Sequence, residues 1–147
     1  MNRDDPFGYS LALVDGDLVF DNGTLKTVSG KRNLLQALEL RVLTPFSSDI
    51  FNTSYGLNVE QAFTQPGGIR MVKELIKLSL VQTLGTDPRV HDIREVLFED
   101  DPSYLARHPE LGTQDISTDR RTRYWRVDVV IETVDTQAQT LSLNIGV

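Results

Sequence analysis

Hydrophobic residues along the chain fall into strand-like and helix-like spacings that are cleanly separated. Residues 9–28 carry Leu11, Leu13 and Phe20 around the dipeptides Asp15-Gly16 and Asn22-Gly23. Gly and Asn enter the positive-φ backbone of tight turns at little cost, so this segment predicts short strands in a small β-meander or hairpin. Leu34, Ala37, Leu38 and Val42 then recur three and four apart, with Leu35 beside them. That spacing predicts a helix from Ser29, an N-cap residue by type, to about Leu43. Pro45 ends it, because the residue before a proline avoids the helical region. Glu39 and Arg41 are two apart, do not face each other and read as independent surface groups. A second stripe, Ile69, Val72, Ile76, Leu80 and Leu84 with Leu75 beside it, predicts a helix over residues 68–84 whose simplest use is core packing. Gly85 stands where a glycine stops a helix, and Pro88 prevents resumption.

Three strands are predicted after that helix: Val90–Phe98, Arg123–Thr133 and Thr140–Val147. The second places Trp125, Val127, Val129 and Ile131 on one face and Arg126, Asp128 and Glu132 on the other. The third alternates Leu141, Leu143, Ile145 and Val147 with Ser142, Asn144 and Gly146. The short connection 135–139 makes these two an antiparallel hairpin. Residues 46–66 read as irregular, with Phe46, Ile50, Phe51, Tyr55 and Leu57 apolar enough to pack against the body, a tight turn at Tyr55-Gly56 and a short helical turn over 59–63. Residues 99–122 form a long polar connection, of the kind that is functional or mobile, in which Leu105 and Leu111 anchor a short helical turn. The fold class expected is α+β: two main helices packed on a small antiparallel sheet, with an N-terminal β-meander and a C-terminal β-hairpin. Residues 1–8 read as a flexible lead-in and 9–147 as one domain.

Composition narrows the function classes. A chain of 147 residues, 39% hydrophobic and 24% charged, buries one core without staples. The net charge of −6 and pI near 4.8 disfavour nucleic acid. The one dense basic run, Arg120, Arg121, Arg123 and Arg126, reads as a solvated loop entering a strand. The absence of cysteine removes disulfides, thiol catalysis and cysteine-ligated metals. The polar start, Met1 to Pro6, is not a signal peptide, and no apolar run approaches the roughly 18–20 residues that span a bilayer. The expectation is a soluble protein made in the cytoplasm, without direct membrane insertion.

Candidate chemistry is sparse. His91 reads as a half-buried strand residue and His108 as exposed loop, and neither stands at a metal-ligand spacing. Glu99, Asp100 and Asp101 are adjacent at a strand end and read as solvated. Glu39, Glu60 and Glu74 show no visible pairing, although a carboxylate pair formed by folding stays open. Pro66-Gly67-Gly68 lacks the lysine and hydroxyl of a phosphate cradle and reads as the turn into the second helix, and no serine sits in a nucleophile elbow. No catalytic residue, cofactor or metal is expected.

The order of signals nonetheless resembles a known family. Gly16-Asp17-Leu18 precedes the helix bearing Asn33-Leu34-Leu35-Gln36-Ala37-Leu38, which ends in Val42-Leu43-Thr44-Pro45; Tyr55-Gly56-Leu57 follows, and the second helix leads into Asp87-Pro88-Arg89-Val90. Over residues 17–147 this resembles the baseplate wedge and sheath-initiator family of contractile phage tails, type VI secretion systems and extracellular contractile injection systems. Two departures stand out. The family's Glu-Pro-Arg is Asp87-Pro88-Arg89 here, and Phe46-Ser47-Ser48-Asp49 replaces a Gly-acidic turn. The resemblance implies a structural, non-enzymatic subunit of a tail or tail-like particle. It implies six copies around the tube base, with sheath protein, baseplate wedge proteins and inner tube or hub proteins as partners. Arg89, with Asp87 and Pro88, maps to the family's wedge contact. The hairpin, through Leu141, Leu143, Asn144, Ile145 and Val147, would pair with sheath arms by β-augmentation. Two competing readings remain: a peptidoglycan hydrolase, after the historical name "tail lysozyme" of one phage member, and a soluble adaptor sharing the fold.

Overall fold

The computed structural model describes residues 5–111 and 124–146. It is α+β, as the patterning predicts. Six short strands open the chain: β1 (Tyr9–Leu11), β2 (Leu13–Val14), β3 (Asp17–Leu18), β4 (Phe20–Asp21), β5 (Thr24–Leu25) and β6 (Thr27–Ser29). Two hairpins, β2–β3 and β4–β5, are nested inside a β1–β6 pair. Asp15 and Gly16 (φ 51° and 81°) and Asn22 and Gly23 (φ 49° and 79°) build their turns, with both residues left-handed as the strand twist requires.

Helix α1 spans Gly30–Leu43. Ser29 holds the N-cap position, but its hydroxyl makes no capping bond. Helix α2 (Glu60–Thr64) is the short turn expected near 59–63, and α3 runs Ile69–Leu84. Gly85 ends α3 for a different reason from the one its type implies. Its φ is −68°, not left-handed. A Cβ there would lie 2.8 Å from the Val81 carbonyl oxygen, so only glycine fits so close to the last turn.

Strands β7 (Val90–Phe98), β8 (Tyr124–Thr133) and β9 (Ala138–Gly146) form an antiparallel sheet in the order β7-β8-β9. Between β7 and β8 the chain forms α4 (Pro102–Arg107) and a 3₁₀ turn, Pro109–Leu111. Leu34 and Leu38 of α1 and Ile76, Leu80 and Leu84 of α3 are fully buried with Val127, Val129 and Ile131 of β8. Leu141, Leu143 and Ile145 of β9 complete that core. Truncating any of the buried leucines costs about 2–5 kcal/mol.

Several local readings are corrected. The lead-in is anchored from Asp5 on: Phe7 is buried, and its carbonyl accepts from Asn33 Nδ2 at 2.8 Å and Arg89 Nη1 at 3.1 Å. Arg41 is no independent surface group, since its guanidinium stacks 4.7 Å from the Tyr55 ring and hydrogen-bonds Thr86 Oγ1. Phe46, Ile50 and Phe51 do not pack on the body. They are exposed, Ile50 to 83% and Phe51 to 93%. His91 is exposed, whereas His108 is half-buried. Asp128, read as an outward group, is 2% exposed, because α4 and the 3₁₀ turn cover the outer face of β8.

Candidate functional site

Asp87, Pro88 and Arg89 form the turn between α3 and β7. Asp87 is buried at its backbone stop, where its N–H donates to Leu84 O at 3.2 Å. Arg89 returns along the turn and grips the carboxylate with a two-pronged fork: Nε to Oδ1 at 2.9 Å and Nη2 to Oδ2 at 2.7 Å. Burial pushes the Asp87 carboxyl up, but the hydrogen bonds and charge of Arg89, with a contribution from Arg41, outweigh it and hold the carboxyl below the usual range. The hydrogen bond to Asp87 in turn raises Arg89, against its own desolvation. The third prong, Nη1 to Phe7 O, fastens the N-terminal segment, and the Arg89 carbonyl accepts from Val134 N at 3.1 Å. The motif is thus an internal clamp on three chain segments. A planar guanidinium suits that work and an ammonium would not.

The final hairpin separates two kinds of group. Leu141, Leu143 and Ile145 are 3–5% exposed and face the protein's own core, so their side chains are not a contact surface. Asn144 is exposed, and Val147 lies outside the described residues. The backbone is what β9 offers. Thr133 N donates to Gln137 O at 2.9 Å, which fixes the alternation of the β8–β9 ladder. Leu141, Leu143 and Ile145 therefore turn their N–H and C=O groups toward β8. Thr140, Ser142, Asn144 and Gly146 turn theirs outward, and among the described residues no strand pairs with that edge.

The two edges of the sheet differ in defence. Edge strand β7 is broken by register shifts between Val90 and Asp92 and between Ile93 and Glu95, and carries Asp92, Arg94 and Glu95. Strand β9 pairs with β8 in unbroken register and contains no charge and no proline. Bulges and charges are how sheet edges refuse further strands. Beside the end of β9 a groove of about 520 Å³ opens between Gly146 and the apolar side chains of Val42, Leu43, Pro45, Leu57 and Phe63.

A third cluster went unseen in the sequence. His108 Nε2 lies 2.7 Å from Asp128 Oδ2, its Nδ1 3.0 Å from Glu110 Oε1, and Ser142 Oγ donates to Asp128 Oδ1 at 2.8 Å. The carboxylate stands between hydroxyl and imidazole, so the histidine does not touch the serine as a general base must. The signal was in β8 itself: Val129, Val130 and Ile131 run apolar on both faces, which means both faces are covered. Glu99, Asp100 and Asp101 are also less idle than read. Asp100 pairs with Lys73, Asp101 accepts from Phe98 N at 2.7 Å, and partial burial raises the Glu99 carboxyl. No group of His, Asp and Glu able to hold a metal ion occurs among the described residues.

Comparison with known proteins gives one match: the family model for the contractile injection system sheath initiator covers residues 7–108. No curated protein and no solved structure matches. The matched span starts earlier than residue 17 and stops before β8 and β9, which lie beyond it.

Proposed function

The chain belongs to the contractile injection system sheath initiator family, and from that premise we propose that it binds the baseplate wedge around the tube base and templates the first sheath ring through the free edge of β9. Membership itself gives a structural role in a contractile sheath, association with sheath and baseplate components, and a place in a tail-like particle. The observation that supports the finer reading is the asymmetry of the sheet: one edge bulged and charged, the other regular, uncharged and unpaired among the described residues. A sheath arm laid along Thr140–Gly146 would meet outward N–H and C=O groups at regular spacing. Backbone bonds would supply the pairing, and the groove beside Gly146 would accept an apolar side chain of the arm. Six such contacts around a ring, next to inner tube or hub proteins, would hold the extended sheath in register. The clamp of Asp87 and Arg89 would work from inside, fixing the N-terminal segment and β7 as one surface for the wedge. The exposed Ile50 and Phe51 add a second apolar contact of that surface.

Amide exchange tests this directly. On adding sheath protein, the amides of Thr140, Ser142 and Asn144 should gain protection, because they are the outward-facing donors. Protection that appears elsewhere, with these amides unchanged, sinks the strand-exchange reading. No helix among the described residues is long and apolar enough to cross a membrane.

A further inference from the structure

We infer that His108 is a proton-set latch that holds the β7–β8 connection, from Asp101 to Leu111, down on the outer face of the sheet. Both ring nitrogens face carboxylate oxygens, Asp128 Oδ2 at 2.7 Å and Glu110 Oε1 at 3.0 Å. A neutral imidazole has one N–H and one lone pair, so it satisfies only one of them; the imidazolium, with two N–H groups, satisfies both. The geometry is that of the charged ring. The ring also lies against Tyr104, centroids 4.4 Å apart, and Tyr104 is the buried anchor of α4.

The charged and titratable groups around the ring come from every neighbouring element. Asp128 and Arg126 belong to β8, Glu95 to β7, Glu99 to the turn after β7, Tyr104 and Arg107 to α4, and Glu110 to the 3₁₀ turn. Arg107 is already paired with Glu95 at 2.8 Å. Burial, then the Asp128 charge, raises the Tyr104 phenol above its usual 10.0, so it stays protonated through the mildly alkaline range. His108 carries the proton that is held between the two carboxylates. Its hydrogen bonds to Asp128 and then Glu110 raise it above 6.5. The contact is complete below pH 6.5 and is lost as the pH climbs through the raised value. Loss of the proton ends the Glu110 contact and leaves Asp128 with a neutral N–H donor in place of an ion pair, a weaker bond to the same carboxylate. Asp128 remains buried with Ser142 and a weakened partner, so the cover loosens. Ser142 is also an outward-facing residue of the β9 edge, so the latch closes directly beside that edge.

The test is amide exchange of residues 102–111 from pH 6 to 9, corrected for intrinsic rate, with His108 ring titration followed by NMR. One linked proton increases opening by at most about tenfold per pH unit. The wild-type chain should lose protection across the range in which His108 deprotonates. Glu110→Gln, a change at a side chain 66% exposed, should move that midpoint to lower pH. His108→Gln should leave the segment open at every pH, while Val127 to Ile131 stay protected, which shows that the core is intact. Protection that ignores pH in the wild type, a midpoint unmoved by Glu110→Gln, or His108→Gln behaving as wild type would each overturn the latch.

Discussion

Asn144→Pro separates the sheet edge from the fold more sharply than any deletion. The N–H of Asn144 points away from β8, because the Thr133–Gln137 bond places Leu143 and Ile145 in the inner set. Proline there removes no bond within the subunit, and edge positions with a solvent-facing N–H are where sheets accept it. Backbone strain of about 1 kcal/mol would lower the melting midpoint by about 2–4 °C. A docked strand meets a different situation. It loses one hydrogen bond and keeps a carbonyl without a partner in a dry interface, together about 2–4 kcal/mol. That is roughly thirtyfold to several hundredfold in occupancy at each contact. Electron microscopy of particles made with the variant should show baseplates carrying bare tubes. Leu143→Pro supplies the contrast: it breaks a bond to β8 and empties a core position, so the subunit itself should fail to fold. Fully sheathed, contractile particles from Asn144→Pro, made by a subunit that melts normally, would refute edge pairing.

Other perturbations test the remaining parts. Asp87→Asn should destabilise the subunit by about 1–3 kcal/mol, judged by urea unfolding, since it breaks a pair that is buried on the aspartate side only. Because Arg89 holds the Asp87 carboxyl below 3.8, its contribution is complete above pH 3.8 and is lost as the pH falls through the lowered value; the gap between wild type and Asp87→Asn should close in that acid range. Gly56→Ala should cost at least about 1–3 kcal/mol in the same assay, because φ is +106° and the new Cβ would stand 2.5 Å from Thr44 O. Ile50→Ser with Phe51→Ser should leave stability within about 0.5 kcal/mol, as both side chains are in water, yet lower incorporation into baseplates.

The sequence was most legible where period and turn chemistry agreed. The stripes of α1 and α3 and the alternation of β9 emerged near their predicted bounds, because burial on one face imposes the period. Asp15-Gly16 and Asn22-Gly23 named their turns through φ alone. Legibility failed where contacts are long-range. Nothing local shows that Arg89 reaches back to Phe7, or that α4 lands on Asp128. Apolar type also misled: Ile50 and Phe51 read as packed, but the loop 45–57 closes on its own backbone, with Leu57 N to Thr44 O at 2.9 Å and Tyr55 N to Asn52 O at 3.0 Å, and leaves its tip outside. The candidate residues of β9 were named by side chain, whereas the edge is a property of backbone parity.

The family match ends at residue 108, and that boundary can be turned into a test of what the hairpin is. If β8 and β9 were a detachable arm, a chain ending there would fold without them. The packing argues the opposite. Val127, Val129, Ile131, Leu141, Leu143 and Ile145 are buried against α1 and α3. Their loss removes on the order of 10–20 kcal/mol of burial, as much as the whole stability of an ordinary domain. A chain truncated after His108 should therefore show no cooperative thermal transition by circular dichroism. A truncated chain that melts cooperatively would mean that the fold does not need the hairpin, which would leave it free to be the exchanged element. The partner strand would then replace β9 instead of lying beside it, and the outward amides of Thr140, Ser142 and Asn144 would lose their special place.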